Sequence, residues 1–467
     1  MDRRKALKSL GLAAGAASLP FLSCREGVSE KAQETHELGR PDAYSWKKPA
    51  RPLTAAVMGA GNRGHVYANY ALKYPEEMKI VGVAEPIPWR RKRFAQEHGI
   101  PEEHQWVTWE HAFEASRFCD AMIITTPDAL HYGPAMAALG MGYDLLLEKA
   151  IAQTWQQCKD IMRLAEKKNL IVGIGHVLRY APYFRMMKHA LDTGRIGEII
   201  SAQHLEPFGN IHMSHSFVRG NWKNSRESTP IILSKSCHDT DILRWLIGRP
   251  CRSVSSFGER SFFRSDRAPK GAAKRCTDNC PLEKDCIYSA IRIYLREKIW
   301  GTSHLYIPDT EPATILKALK EGPYGRCVWH SDNDVVEHQV VNMIFGDEIT
   351  VGFNMEGMTA YGGRRTCVFG TRGDLRGDMN TLEVHEFETG KTHVWDASKH
   401  AGELSGHGGG DQGLARDFIQ AVTRRDPSLL TSTVKDSMES HLIGFLAEES
   451  RNQGGAVKKV SLAEALQ

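Results

Sequence analysis

A glycine-rich loop follows a short apolar strand in the stretch LTAAVMGAGNRGHVYANYAL. Gly59 permits a tight turn, Gly61 lets backbone N–H groups approach a pyrophosphate, and Gly64 allows the following helix to pack closely on the strand. With Asn62 and Arg63 between these glycines, the loop predicts a dinucleotide site.

An acidic residue ends the second strand, KIVGVAEP, and indicates which dinucleotide binds. The carboxylate of Glu85 can accept hydrogen bonds from the adenosine ribose, and its charge repels a 2′-phosphate. The position therefore favours NAD over NADP, although Arg90 and Arg91 nearby keep NADP open as an alternative.

Three further apolar segments end in polar residues and are typical of parallel strands. They are TTPDALH (125–131), LLLEKA (145–150) and LIVGIGHVLRY (170–180). Ligands of open parallel sheets collect where the carboxyl ends of the strands face a crevice. We therefore expect Thr126, Pro127, His131 and Glu148 to contact the cofactor there.

A polar stretch in the second half, EPFGNIHMSHSFVRGNW (206–222), is typical of a carbohydrate site, where polar groups bind hydroxyls and an aromatic face covers the ring. The alternating stretch DNDVVEHQVVNMIF is typical of a strand and places Asp334 and His338 on one face of it. The glycine-rich stretch SGHGGGDQG (405–413) is interpreted as a hinge over the substrate. For Asp411 within it, the alternative role is to cap the N-terminus of the following helix. A structural role is the alternative for each histidine. The candidate substrate-binding residues are Glu206, His212, His215, Arg219, Trp222, Asp334, His338 and His407.

Four cysteines cluster in a polar segment of the second half. Cys276, Cys280 and Cys286 lie in RCTDNCPLEKDCIYSA, and Cys327 follows in YGRCVWH. Four such thiols indicate either one structural zinc ion or two disulfides. We favour zinc, although the spacing differs from that of ribbon-type sites and an oxidising compartment would permit disulfides.

The length and composition are those of a globular protein with more than one domain. The chain has 467 residues, and its formal charge of +4 arises from 60 basic and 56 acidic residues. A net positive charge this small argues against nucleic-acid binding, which needs a concentrated basic face. Beyond the N-terminus, no apolar run is long enough to span a bilayer.

The N-terminus is typical of an export signal. The Arg3-Arg4 pair with Leu7, followed by an apolar stretch (10–23), resembles a twin-arginine signal, which exports folded proteins. Cys24 resembles the acylated cysteine of a bacterial lipoprotein, and an uncleaved amphipathic helix is the alternative. We therefore predict an exported protein, periplasmic or envelope-anchored, that contacts the membrane only through such an anchor.

In their order, these motifs resemble the Gfo/Idh/MocA oxidoreductase superfamily from about residue 52 to the end. The resemblance rests on GAGNRG, TTPDALH, LLLEKA, GHVLRYAPYFRMMKHALDTGRIGEI and SCHDTDILRWL. It implies an α/β fold, NAD or NADP, a small carbohydrate substrate and a homo-oligomer (dimer or tetramer) formed through the C-terminal sheet. The predicted parts are a signal (1–24), a linker (25–51), a Rossmann domain (52–175) and an α/β domain with an open, mainly antiparallel sheet (176–467) that includes a cysteine-rich insertion near 270–330.

The resemblance also implies catalytic roles. Lys149 matches the lysine of the family's Glu-Lys-Pro motif, which contacts cofactor and substrate and takes part in proton transfer; Ala150 replaces the proline here. His238 matches the catalytic histidine, whose neutral imidazole accepts the hydroxyl proton. His176 and Arg179 fall where the family contacts cofactor and substrate, and a domain-interface ion pair is the alternative for Arg179.

One departure from the family lies four positions before His238. Many family dehydrogenases carry an aspartate there, whereas this chain has Ser234, followed by Lys235. A relay through either residue is one interpretation. Asp239 and Asp241 are expected either to orient the histidine ring or to begin the following helix.

Together these assignments predict an enzyme that transfers hydride between a secondary alcohol of a sugar and nicotinamide. Soluble nicotinamide cofactors are not generally maintained outside the cytoplasm, so an exported enzyme is expected to hold NAD tightly and to restore it at each turnover. The alternative is an NAD-dependent glycosidase that oxidises C3 transiently, eliminates the glycosidic group, adds water and returns the hydride, without paired carboxylates. A sugar-binding lipoprotein without activity is a third hypothesis, against which Glu85, Lys149 and His238 argue.

Overall fold

The computed structural model describes residues 35–38, 46–114, 116–399 and 405–467. The strands are β1 (Thr35–Glu37), β2 (Leu53–Met58), β3 (Met78–Ala84), β4 (Gln105–Trp106), β5 (Ala121–Ile124), β6 (Asp144–Leu147), β7 (Val172–Ile174), β8 (Ile199–Pro207), β9 (Cys251–Glu259), β10 (His338–Phe345), β11 (Ile349–Glu356), β12 (Arg365–Gly370), β13 (Gly373–Gly377), β14 (Thr381–Glu386), β15 (Thr392–Asp396) and β16 (Lys458–Lys459). The α-helices are α1 (Asn62–Lys73), α2 (Pro88–His98), α3 (Trp109–Ala112), α4 (Tyr132–Gly140), α5 (Trp155–Lys167), α6 (Pro182–Asp192), α7 (Asn210–His212), α8 (Ile231–Ser234), α9 (Cys237–Ile247), α10 (Pro312–Glu321), α11 (Ser405–Gly408), α12 (Gly410–Arg424), α13 (Val434–Asn452) and α14 (Leu462–Ala465).

The first sheet has six parallel strands in the order β4-β3-β2-β5-β6-β7. Strand β2 is apolar throughout because both faces of the sheet are covered: Ala55 and Val57 pack in one core cluster, and Ala56 and Met58 in another. The predicted Rossmann domain is therefore confirmed. The carboxyl ends of β2, β5, β6 and β7 meet at one edge of this sheet.

The second sheet has ten strands in the order β1-β15-β14-β13-β12-β8-β11-β10-β9-β16. Its pairs are antiparallel except β8 with β11 and β1 with β15, which confirms a mainly antiparallel sheet. Helices α6, α9 and α13 pack against its inner face. The outer face of β9, β10 and β12 carries exposed apolar side chains, among them Phe257, Val340, Ile344 and Phe369.

Helix α12 completes the core of the first sheet, although it follows the second sheet in the chain. Leu414, Phe418 and Ile419 are buried in one cluster with Leu53 and Val57 of β2. The predicted boundary at 175/176 lies between the last strand of the first sheet, β7, and the first long strand of the second, β8, whereas α12, from the predicted second domain, packs in the core of the first sheet. Hydrophobic periodicity shows that a helix has a buried face, not which sheet covers that face.

Replacing Phe418 by alanine is expected to lower the free energy of unfolding by about 3–5 kcal/mol, because a fully buried ring leaves a cavity. Denaturant titration of the purified protein measures this change. Leu72→Ala on α1 is the control: Leu72 is 51% exposed, and its variant is expected to retain the wild-type midpoint. Equal effects of the two substitutions would contradict the packing of α12 on the first sheet.

The N-terminal predictions meet the structure only in part. The signal (1–24), with its candidate anchor Cys24, lies outside the described residues. Within the predicted linker, residues Thr35–Glu37 instead form β1, which pairs with β15 at the edge of the second sheet. So short a polar strand has no alternation from which to predict it. Among the described helices, none is long and apolar enough to cross a membrane.

Candidate functional site

The glycine loop has the backbone that a dinucleotide site needs. Gly59 has φ +100°, and a Cβ there would lie 2.9 Å from the Thr125 carbonyl carbon. A Cβ at Gly64 would lie 2.3 Å from the Gly59 oxygen, whereas one at Gly61 would meet no atom within 4 Å. Gly61 also caps α1 without a side-chain hydrogen bond, so the amides of the first turn face this open space. The loop therefore fits a pyrophosphate.

Glu85 lies buried just after β3. Its Oε1 accepts a hydrogen bond from the Ile87 amide at 3.0 Å, and Arg91 donates to the Glu85 carbonyl at 2.5 Å. The guanidinium of Arg90 lies 4.3 Å from the ring centre of Tyr306. Both arginines that kept NADP open are thus engaged with protein groups.

Arg63 was predicted to contact the cofactor, but it joins three protein groups. Its Nε donates to Glu148 at 2.7 Å, and its Nη2 donates to Asp411 and to the Tyr67 hydroxyl, each at 2.8 Å. Burial raises the pKa of Glu148, but the charges of Arg63 and Lys149 outweigh burial and lower it. Arg63 and Glu148 therefore position Lys149. Asn62, the first residue of α1, stays exposed beside the loop.

The β5 end loop also differs from its prediction. His131 is buried, with Nδ1 2.6 Å from the Ala150 carbonyl and Nε2 2.8 Å from the Thr126 carbonyl. It braces two strand-end loops and has no ring nitrogen left for a cofactor. Thr126 is half-buried and Pro127 exposed at the same strand end, so these two remain candidate contacts.

Lys149 and His238 come together across the two domains. Lys149 Nζ donates to the Ser234 carbonyl, just before α9, and the Lys149–Ala150 peptide is cis. His238 is 6% exposed, and its Nδ1 has no hydrogen-bond partner among the described residues. Burial, followed by the positive charge of Lys149, holds the pKa of His238 well below its ordinary value. The site therefore pairs an ammonium donor with a neutral imidazole.

Behind His238, the domain interface holds a buried ion pair. Arg179 donates to both oxygens of Asp241 at 2.7 Å, which is the domain-interface ion pair predicted as the alternative to a ligand contact. His176 is fully buried, 6.0 Å from His238 between ring centres, and Nδ1 lies 3.6 Å from Asp241. Burial, then the charge of Arg179, lowers the pKa of His176. His176 therefore lies in the second layer of the site.

A second buried charge cluster lies beneath α9. Asp239 accepts from Arg364 at 2.6 Å and from His204 at 3.0 Å, so it neither orients His238 nor caps the helix. Glu206, predicted to bind substrate, instead lies 3.1 Å from both Lys235 and Arg364. Such pairing compensates the burial of these carboxylates. Sequence reasoning missed Arg364 and His204 because their strand context carries no motif.

The other predicted sugar-binding residues separate into two groups. His215 contacts the Tyr294 hydroxyl at 2.6 Å and stacks on Tyr324, while fully buried Arg219 donates to the carbonyls of Tyr288 and Arg326. The structure shows these two residues in contact with the insertion, which they anchor. Burial lowers the pKa of His215 to about 3.

Two residues of that stretch remain near the site. His212 is half-buried, and burial, then the charge of Lys235, lowers its pKa. The Trp222 indole donates to Asp128 at 2.9 Å, which ties the second domain to the β5 end loop. Asp128 also accepts from Ser228 and Thr229. The position of Asp128 within the motif TTPDALH was the sequence signal from which its role at this strand end could have been predicted.

Asp334 and His338 lie away from the site. Asp334 accepts from the amide and hydroxyl of Ser225 and lines a groove of about 1170 Å³ beside the insertion. His338 begins β10 on the outer face of the sheet. Asp334 lies before β10 and not on a strand, so the two residues do not share a strand face. His407, by contrast, lies with its ring centre 5.8 Å from that of His238.

The four clustered cysteines line one small cavity in the insertion with Trp329 and Leu282. All described cysteines are free thiols, and no group of three or more potential ligands in the described chain could hold a metal. Both the zinc prediction and the disulfide alternative are therefore unsupported.

Comparison with known proteins supplies matches for both halves of the chain. A family model described as "Oxidoreductase family, NAD-binding Rossmann fold" matches residues 53–176, and one described as "Oxidoreductase family, C-terminal alpha/beta domain" matches residues 188–460. The putative oxidoreductase YteT of Bacillus subtilis is 21% identical over 369 residues, covering 74% of this chain and 83% of that protein.

Two further similarities differ in how much of the chain they cover. The scyllo-inositol 2-dehydrogenase (NAD(+)) of Bacillus subtilis is 27% identical over 210 residues, which cover 44% of this chain and 57% of that enzyme. An inositol dehydrogenase homolog from Azotobacter vinelandii, crystallised with NAD+, aligns with a TM-score of 0.65 at 16% identity. That alignment covers 89% of this chain and 99% of the homolog, and at this identity it shows a shared fold.

Proposed function

The chain belongs to the Gfo/Idh/MocA oxidoreductase family, and from this premise we propose that it is an NAD-dependent enzyme acting on a secondary alcohol of a sugar or sugar derivative. The observation that carries the proposal is the meeting of Lys149 and His238 at the carboxyl edge of the first sheet. The glycine loop and Glu85 lie at the same edge.

In the proposed reaction each residue has a defined task. His238, kept neutral by burial and by nearby cations, accepts the proton of the substrate hydroxyl. The ammonium of Lys149, held by the Ser234 carbonyl, stabilises negative charge that develops on the same oxygen. When bound, NAD supplies the hydride acceptor. Gly61 leaves room for its pyrophosphate, and Glu85 is the acceptor for its ribose hydroxyls.

The carboxylate of Glu85 is expected to select NAD. Replacing Glu85 by glutamine should raise the Kd of NAD+ about tenfold to a hundredfold, because hydrogen bonds to an anion are lost, and should improve binding of NADP+. Nucleotide titration of the two proteins measures both changes. Glu97→Gln, which removes a carboxylate from the partly exposed face of α2, is the control. Unchanged preference in Glu85→Gln would contradict this role.

The proposal is tested on full-length protein purified without added nucleotide. We expect released nucleotide to be NAD, and a panel of free sugars to produce the absorbance of reduced nicotinamide. Release of an aglycone from an aryl glycoside, with no lasting reduced nicotinamide, would identify the glycosidase alternative. The absence of both nucleotide binding and turnover would contradict the proposal.

We also propose that the protein is exported with its cofactor bound. The N-terminal sequence supports this, since a twin-arginine route moves folded proteins. Protein that arrives empty and works only with added NAD would contradict retention of the cofactor.

A second copy of this chain is our proposed partner for the outer face of the second sheet. Phe257 and Val340 face each other there in register and are 54% and 39% exposed, and many of their neighbours are uncharged. The double variant Phe257→Lys/Val340→Lys is expected to be monomeric by light scattering, and wild type a dimer or tetramer. Ile287→Lys, at an exposed site in the insertion, is the control. A monomeric wild type would contradict this proposal.

A further inference from the structure

A histidine–carboxylate pair from the C-terminal half of the chain, His407 with Asp411, lies beside the site. His407 Nδ1 lies 3.0 Å from Asp411 Oδ2, and the ring centres of His407 and His238 are 5.8 Å apart. The side chain of His407 is 38% exposed, whereas His238 is buried. The pair therefore connects the buried catalytic histidine with a position that solvent reaches.

Asp411 is placed to fix the orientation of the His407 ring. It is buried, and its Oδ1 accepts from Arg63 at 2.8 Å. Burial raises the pKa of Asp411, but the hydrogen bond with His407 and the charge of Arg63 outweigh burial and lower it to about 2. Because a carboxylate only accepts hydrogen bonds, His407 donates through Nδ1, and its Nε2 is left to exchange a proton.

The backbone around the pair is held by close contacts. A Cβ at Gly410 would lie 2.1 Å from the Val177 carbonyl oxygen, and one at Gly413 would lie 2.9 Å from Tyr180 Cβ. Only glycine permits this approach, which seats the start of α12 on the segment after His176. Arg63 then links Asp411 to Glu148, the neighbour of Lys149.

No carboxylate of the described chain pairs with His238 as Asp411 pairs with His407. The Nδ1 of His238 has no hydrogen-bond partner among the described residues, and the Ser234 hydroxyl is 3.3 Å from the Pro230 carbonyl. The nearby carboxylate Asp239 is bonded to Arg364 and His204. A buried imidazole that has accepted a proton needs a route by which to release it.

We propose that His407, oriented by Asp411, relays protons between His238 and solvent, an inference that rests on the proposed function. As a substrate C–OH becomes C=O, the hydroxyl proton passes to His238, and the C–H hydrogen leaves with its electron pair for the oxidised nicotinamide. His407 Nε2 takes the proton from His238, directly or across one water molecule, and gives it to solvent. Reduction runs the same steps in reverse.

The test compares His407→Gln and Asp411→Asn with wild type in the full-length protein. His407→Gln is expected to lower kcat about a hundredfold with KM and nucleotide Kd unchanged, and added imidazole is expected to restore the rate. Asp411→Asn is expected to change kcat in the same direction. His385→Gln, on β14, is the matched control. Nitrogen-15 spectra of the histidine rings give a readout independent of turnover: the neutral His407 ring should carry its proton on Nδ1, and Asp411→Asn should lose that tautomer.

Three results would overturn the relay. The first is an unchanged kcat in His407→Gln, and the second is a raised KM in that variant that added imidazole does not lower. The third is a neutral His407 ring that carries its proton on Nε2 in the wild type. The second would make His407 a substrate-binding residue, as its sequence context predicts. Failure of the proposed function is distinct, because it shows in wild-type protein as absent nucleotide binding and turnover.

Discussion

Lys149→Met is expected to lower kcat by about a hundredfold to ten-thousandfold, while the Kd of NAD+ stays near that of wild type. Methionine keeps an unbranched apolar stem and removes the ammonium that donates to the Ser234 carbonyl and is proposed to stabilise the reacting oxygen. The loss should therefore fall on the chemical step. Steady-state kinetics with the active sugar, combined with nucleotide titration, measure the two quantities.

Two further variants are compared with Lys149→Met. Lys79→Met replaces a lysine at an exposed position of β3 in the same domain, and it is expected to retain the wild-type kcat. Glu148→Gln should cause a smaller loss, because it weakens the hydrogen bond with Arg63 that positions the Lys149 strand end. A raised KM with an unchanged kcat in Lys149→Met would show that Lys149 binds substrate without taking part in proton transfer.

His238→Asn should reduce kcat by a similar hundredfold to ten-thousandfold, because asparagine cannot accept the hydroxyl proton. In wild type, burial and then the charge of Lys149 lower the pKa of His238. The ring therefore stays neutral below the ordinary histidine value of about 6.5, and kcat/KM should fall only at pH values beneath it. In the variant this acid limb should disappear. A pH profile of kcat/KM for both proteins measures the effect.

The control for His238 is His385→Asn, which changes a half-buried histidine on β14 that contacts Thr392. It should preserve both the rate and the acid limb. An acid limb that persists unchanged in His238→Asn would assign the titration to another group. His176 is then the group to replace, since burial lowers its pKa as well.

The residues predicted from contiguous motifs are largely those with local causes. Gly59, Gly61 and Gly64 act through the backbone of one turn, and Lys149 acts from a strand end next to three leucines. Because the carboxyl ends of parallel strands share one edge, their convergence follows once the strands are identified. The strand LTAAVM and the helix after it were likewise predictable from apolar pattern and glycine spacing.

The errors have a common physical origin in long-range pairing. Arg179 meets Asp241, Arg63 meets Asp411, and Arg219 binds carbonyls of the insertion, so each guanidinium predicted to bind a ligand has hydrogen-bond partners within the protein. A residue type shows that a side chain can bind an anion or a hydroxyl. It does not show whether a carboxylate or carbonyl from a distant part of the chain already pairs with that side chain.

By itself, then, the sequence determined the two-domain α/β fold and the nucleotide loop, because these depend on local backbone geometry and on the order of buried strands. The roles of Lys149 and His238 were predicted from the resemblance of their motifs to the family. Only the tertiary structure decided that α12 belongs to the first core, that Asp334 binds Ser225, and that His407 lies beside His238. Those facts depend on which surfaces pack together. Packing is set by burial and charge pairing between distant segments, and no single segment records it.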